Sequence, residues 1–189
     1  MNKHTTKEPF QIFPDQKIFD GKYLSIYETP FVDKNGEGQV WQWTAGHQAA
    51  VIFPITRDRK VVLIKNFRIP FRQYVIELPA GAQDKPDESL LSVAHRELLE
   101  ETGYRAEHMV QITPPWPSIP SHSGTTCTAF AAFGLTKERH TCGDGTEDIS
   151  VIEVPIDLLP GFYCSLPPSQ LIDPRILGFY TIVKHLKIA

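Results

Sequence analysis

The sequence has no excess of basic residues: 19 Lys and Arg stand against 22 Asp and Glu, a formal charge of −3 with a pI near 6.2. Binding a nucleic-acid backbone takes clustered Lys and Arg to neutralise its phosphates, so the composition supplies no footprint for DNA or RNA. Nor is there an apolar run of the roughly 20 residues needed to cross a bilayer, and the opening MNKHTTKEPF lacks the apolar stretch of a secretory signal. The expectation is a cytoplasmic protein with no membrane partner. Cysteine is scarce. Cys127, Cys142 and Cys164 are odd in number and far apart, without C-x-x-C spacing, which argues against a disulfide framework or a thiolate zinc site. The reading is three reduced, mostly structural thiols.

What is present suffices for one core: 189 residues, 41% of them hydrophobic, are too few for two full enzyme domains. Residues 1–46 read as a strand-rich arm, with KYLSIYET and VWQWT alternating around a DKNGEG turn. From residue 47 to 189 the main domain follows. AAVIFPI and KVVLIKNF are near-continuous apolar runs separated by TRDR, the pattern of neighbouring buried strands. Further strands are expected at YRAEHMVQI, TCTAFAAF and ISVIEV, and RILGFYTIVKHLK reads as a closing amphipathic helix. PPWPSIPSHSG and ERHTCGDGTED are turn-rich connections of the kind that carry binding groups.

The strongest helix signal is ESLLSVAHRELLEETG, in which Leu91, Ala94 and Leu98 recur at helical spacing and Gly103 supplies the stop. Glu97, Glu100 and Glu101 fall within an arc of about 100° on that helix. They crowd its C-terminus, where the macrodipole disfavours negative charge, and the like-charged pair Glu97 and Glu101 costs a further ~0.2–0.5 kcal/mol. A solvated acidic face is the bland explanation. A hard cation reverses the sign of the cost, because Mg²⁺ takes oxygen ligands and uses one or two carboxylates beside substrate phosphates.

Residues 77–104, ELPAGAQDKPDESLLSVAHRELLEETGY, resemble the signature of the Nudix hydrolases, with Gly81, Glu88, Arg96, Glu97, Leu98, Glu100, Glu101 and Gly103 in its fixed places. One feature departs from it: six residues, not five, separate Gly81 from Glu88, and Tyr104 takes the last apolar place. The resemblance implies a mixed α/β (α+β) fold, an α/β/α sandwich around a mixed sheet, here with an antiparallel N-terminal extension. It also implies that Glu97 and Glu101 are the principal Mg²⁺ ligands (Mn²⁺ being the substitute), that Glu100 assists, and that the Ala80 carbonyl completes the set. Arg96 and Glu88 would orient them; a purely structural Arg96–Glu88 pair is the equal alternative.

Relatives acting on nucleotide sugars place a catalytic glutamate on a loop well after this signature, just before a strand. GDGTEDISVIEV matches that description, which nominates Glu147 as general base, with Asp148 and Asp144 as alternatives and a plain acidic turn as the bland reading. NFRIPFRQYVIELPAG resembles the segment of ADP-ribose and nucleotide-sugar pyrophosphatases in which an arginine reaches the diphosphate. Arg68 is the first match and Arg72 the second, a guanidinium suiting phosphate through its paired donors. Pro120 lies near where a proline marks the ADP-ribose subgroup, although SIPSHSGTT lacks that subgroup's following glycine and glutamate. Trp41 and Trp43, with Tyr23 and Tyr27 nearby, offer faces for a nucleobase, or for burial between subunits. His122 is a further contact candidate. The family's N-terminal strands commonly cross to a partner, which implies a homodimer. The leading expectation is Mg²⁺-dependent hydrolysis of ADP-ribose or a related nucleoside-diphosphate sugar. The alternatives are a GDP-mannose-type or broad pyrophosphatase, a non-hydrolytic nucleotide sensor, and RNA processing.

Overall fold

The computed structural model describes residues 8–83, 85, 87–138 and 146–188. They form two compact units, one of residues 8–47 with Pro117–Thr126, the other of Gln48–Trp116 with the described residues from Cys127 onward.

The first unit is an antiparallel sheet of β1 (Gln11–Ile12), β2 (Gln16–Asp20), β3 (Ser25–Val32) and β4 (Gly38–Thr44), in which β3 pairs with each of the others. The β3–β4 register sets Tyr27 opposite Trp43 and Thr29 opposite Trp41. The turn between them is closed by Asp33, whose carboxylate accepts from the backbone N–H of Asn35 and Glu37, while Gly36 takes φ +87°. Segment 117–126 joins this sheet: the Thr44 N–H donates to the His122 carbonyl and Gly124 N–H to the Thr44 carbonyl.

The second unit holds β5 (Gln48–Pro54), β6 (Lys60–Arg68), β7 (Gln73–Glu77), β8 (Ala80–Ala82), α1 (Leu90–Thr102), β9 (Tyr104–Arg105) and β10 (His108–Gln111). After β11 (Trp116–Pro117), where the chain passes between the units, come β12 (Thr126–Phe133), β13 (Thr136–Lys137), β14 (Ile149–Pro155), α2 (Leu159–Ser165), β15 (Leu171–Ile172) and α3 (Arg175–Leu186). One sheet runs β10-β12-β5-β8 and another β14-β6-β7-β15, the last pair parallel and the rest antiparallel.

Alternation explains why the central strands read as continuous apolar runs: both faces are covered. Val51, Phe53, Val61, Leu63, Ala129 and Ala131 face a core completed by Leu159 of α2 and by Ile176, Phe179 and Val183 of α3. Ala50, Ile52, Val62, Phe130 and Ala132 face the opposite core, built with Val93, Ala94 and Leu98 of α1. This is the expected α/β/α layering around mixed strands. YRAEHMVQI divides into β9 and β10 rather than forming one strand, because β9 pairs with β13 and β10 with β12. No described helix is long and apolar enough to cross a membrane. Cys127 and Cys164 are free thiols, and Cys142 lies outside the described residues.

Candidate active site

Helix α1 is fixed at both ends by its own sequence. Ser89 caps the start, its hydroxyl accepting from the Ser92 N–H, and Gly103 closes the end with φ +72° and its N–H on the Leu99 carbonyl. Burying Val93, Ala94 and Leu98 then orients the acidic stripe. Glu101 is only 3% exposed, and its Oε2 accepts from the Ala80 N–H at 2.8 Å. The contact between Ala80 and this acid is therefore through the amide. Burial, with smaller pushes from nearby Glu97 and Glu147, lifts the Glu101 carboxyl up to about 8 against the pull of that amide and of Arg68.

Glu97 approaches β8 so closely that a Cβ on Gly81 would fall 1.9 Å from its Oε1, so glycine is required by the approach itself. Arg96 donates to Glu97 at 2.6 Å, Glu100 at 3.1 Å and Glu88 at 3.3 Å, and reaches the Ala82 carbonyl at 3.2 Å. Its guanidinium thus ties the spaced glutamate, two of the helix acids and β8 together. Among the described residues, no three acid, histidine or cysteine side chains already converge as a preformed metal cage. The donor set still fits a hard divalent cation. It is all oxygen, and it includes a carboxylate driven toward protonation first by burial and then by Glu97 and Glu147, a repulsion that a cation relieves.

The sheet brings the remaining candidates toward the same place. β6 pairs with β14 and β7, setting Asn66 between Ile149 and Val75 and Arg68 opposite Gln73. The Phe67 N–H donates to the Asp148 carbonyl at 3.1 Å, which extends the β6–β14 ladder beyond Ile149 and brings Glu147 level with Arg68. Arg68 Nε donates to Glu77 Oε2 at 2.8 Å, and the arginine side chain remains 41% exposed. Asp148 has its carboxylate engaged by the Tyr74 hydroxyl at 2.6 Å. Asp144 lies outside the described residues. Arg72 sits exposed in the β6–β7 turn with φ +52°, its N–H on the Ile69 carbonyl. Glu77, the partner of Arg68, escaped the sequence reading. Its signal was present in QYVIE, an acid on the same strand face as an inward valine.

In the first unit, Trp41, Trp43 and Pro120 line one cavity of about 160 Å³ with Ser121 and His122. Trp43 stacks on Tyr27 with centroids 5.2 Å apart, and its indole donates to Thr29 Oγ1. Trp41 is half exposed, its indole N–H on the Ser121 carbonyl at 2.8 Å. His122 Nδ1 shares a 2.6 Å hydrogen bond with Ser121 Oγ. Tyr23 stands 84% exposed, away from that cavity.

The family model described as the NUDIX domain matches residues 46–159, which span the acidic helix, β6 and the Glu147 segment. The chain belongs to the Nudix family. This Nudix hydrolase is 30% identical over 144 residues to a Bacillus subtilis protein described as an ADP-ribose pyrophosphatase, covering 75% of this chain and 76% of that one. It is 26% identical to the mouse ADP-sugar pyrophosphatase, over 90% of this chain and 86% of the relative. Among solved structures it is similar to an ADP compounds hydrolase, with TM-score 0.79, 20% identity and coverage of 95% and 94%, a likeness of fold.

Proposed function

We propose that this Nudix hydrolase cleaves the diphosphate of ADP-ribose or a related nucleoside-diphosphate sugar, giving a nucleoside monophosphate and a sugar phosphate. One observation carries the reading: buried Glu101 feels both the Glu147 and the Arg68 charges, so acids and a phosphate-type cation share one locus. The printed activities of the Bacillus subtilis and mouse relatives support the same substrate class.

A divalent cation, Mg²⁺ or in its place Mn²⁺, would supply charge neutralisation of phosphate oxygens and a more acidic water. Glu97 and Glu101 would hold it with help from Glu100 and the Ala80 backbone, and Arg96 would keep Glu97, Glu100 and Glu88 in register. Arg68 would offer its terminal nitrogens to the diphosphate while Glu77 holds the guanidinium flat. Glu147 would take the proton of the attacking water. As the new bond from water oxygen to phosphorus forms, the bond from phosphorus to the bridging oxygen breaks, and that oxygen leaves on the other phosphate. Asp148 is less suited to the base role, since Tyr74 already donates to it.

Within the first unit, Trp41, Trp43 and Pro120 would offer a nucleobase an aromatic and apolar surface, because aromatic faces accept any base. On one face of the arm's sheet, Phe10, Ile12, Phe31, Trp41 and Trp43 line an apolar hollow of about 450 Å³, surface of the kind that pairs two copies, which supports a homodimer and a 1–46 dimerising arm beside a 47–189 hydrolase domain. The test is product formation from ADP-ribose, GDP-mannose, UDP-glucose and NADH with Mg²⁺, run beside Glu101→Gln. AMP release from ADP-ribose that disappears in the variant supports the reading. Preference for GDP-mannose moves the substrate to the broader group, and no turnover of any of the four refutes it.

A further inference from the structure

Two buried side-chain atoms have no hydrogen-bond partner among the described residues, Nδ2 of Asn66 and Oε2 of Glu88. Glu88 belongs to the Arg96 network. Asn66 Nδ2 joins no network among the described residues, although the residue is only 1% exposed on an interior strand. Its cross-strand neighbours, Ile149 and Val75, have apolar side chains and accept nothing. Alternation places it on the face of β6 that carries Val62, Ile64 and Arg68, toward α1. Val151, two residues beyond Ile149 on the same face of β14, packs into the α1-side core, so Asn66 closes the apolar interior just beneath the charged end of the strand. Packing alone would be served better there by leucine or valine, since a buried amide proton without an acceptor is costly.

We propose that Asn66 Nδ2 holds an internal water beneath the Glu101 and Glu147 carboxylates, and that Asn66 acts through it as a positioning residue for the hydrolytic step. The burial decides the ligand's size: a substrate phosphate does not reach a side chain this enclosed, whereas one water does. Hydrogen-bond chemistry decides its kind. Carboxylate oxygens accept, so two acids are joined only through a proton between them, and a water carries two. A water that accepts from Asn66 has two protons left, one for each acid. It would fix the acids' separation, and with it the direction from which Glu147 meets the attacking water.

The kinetic arm of the test rests on the hydrolase reading; the structural arm does not. A crystal structure of the wild-type protein is expected to show an ordered water within about 3.2 Å of Asn66 Nδ2 and of the Glu101 carboxylate. A dry Nδ2, or one donating to a protein acceptor, overturns the proposal. Asn66→Leu is expected to lower kcat by about 10- to 100-fold with KM nearly unchanged. Asn66→Ser, which keeps a donor and leaves room for the water, is expected to recover most of it. A lowered melting temperature with wild-type kcat in both variants makes Asn66 merely structural and also overturns it. If the wild type turns over no substrate, the hydrolase reading fails, and the crystallographic water still decides this one.

Discussion

Substituting Gly81 by alanine probes the proposed metal cradle more sharply than deleting a carboxylate, because it would move Glu97, a proposed ligand, without removing charge. A Cβ at this position would lie 1.9 Å from Glu97 Oε1, 2.0 Å from its Cδ and 2.5 Å from its Cγ. Ordinary contact begins near 3.4 Å, so the Glu97 carboxylate has to retreat by about 1.5 Å. The obstacle is the end of a flexible side chain, whereas Gly81 itself is held in the β8–β5 ladder opposite Ala50. The carboxylate therefore moves rather than the strand. Overpacking of this kind costs about 1–3 kcal/mol, which lowers the melting temperature by roughly 2–10 °C in a chain of this size. Catalysis suffers far more, since displacements of about 1 Å in a reacting centre cost on the order of 100-fold. The assay is Mg²⁺-dependent hydrolysis of ADP-ribose beside thermal melts with and without Mg²⁺. Gly81→Ala is expected to fold, to lose at least about 100-fold in kcat/KM and to lose most of the Mg²⁺-induced rise in melting temperature. A folded variant with near wild-type kcat/KM would refute the reasoning, because the place of Glu97 would then not matter.

Glu147→Gln is expected to lower turnover by about 10²- to 10⁴-fold with substrate affinity little changed, measured by steady-state kinetics and a binding titration; Asp148→Asn, which only loosens Tyr74, is expected to cost far less. Metal-free protein is expected to lose stability as pH rises. The folded Glu101 carboxyl is lifted to about 8 from 4.5, so the native state holds a proton that the unfolded chain has released. Its contribution is intact below about pH 4.5 and declines by about 3–5 kcal/mol up to about pH 8. Denaturant melts at pH 5 and 8 in chelator read this, with Glu101→Gln flattening the difference. Arg68→Lys keeps the charge but loses the planar fork paired to Glu77, and is expected to raise KM for ADP-ribose by about 10-fold with a smaller change in kcat.

The central strands and α1 were legible because their signals are redundant. β5, β6 and β12 are apolar and buried along most of their length, β14 is mostly β-branched, and α1 combines apolar spacing with a serine cap and a glycine stop. Strand β7 and helix α2 were not. QYVIE is short and follows a turn with a proline, and LPGFYCS contains both a proline and a glycine, so packing against the core decides them rather than propensity. At the site, Glu97, Glu100 and Glu101 could be named from spacing on one helix, and Arg96 from the resemblance to the Nudix signature. Glu147 was the nominated loop acid with Asp148 and Asp144 as alternatives; the Tyr74 hydroxyl engages the Asp148 carboxylate, and Asp144 lies outside the described residues. Asn66 went unread because a single amide in KVVLIKNF looks like the polar end of a strand. Its signal is parity, since it shares a face with Val62 and Ile64.

The central claim is cleavage of a diphosphate by water at a metal-dependent centre. Hydrolysis of ADP-ribose in ¹⁸O-labelled water with Mg²⁺, with products separated and weighed by mass spectrometry, tests it most directly. The account predicts equal amounts of AMP and ribose 5-phosphate, one of them carrying a single labelled phosphate oxygen, and neither product once the metal is chelated. ADP with free ribose, unlabelled products, or formation that persists in chelator would contradict it.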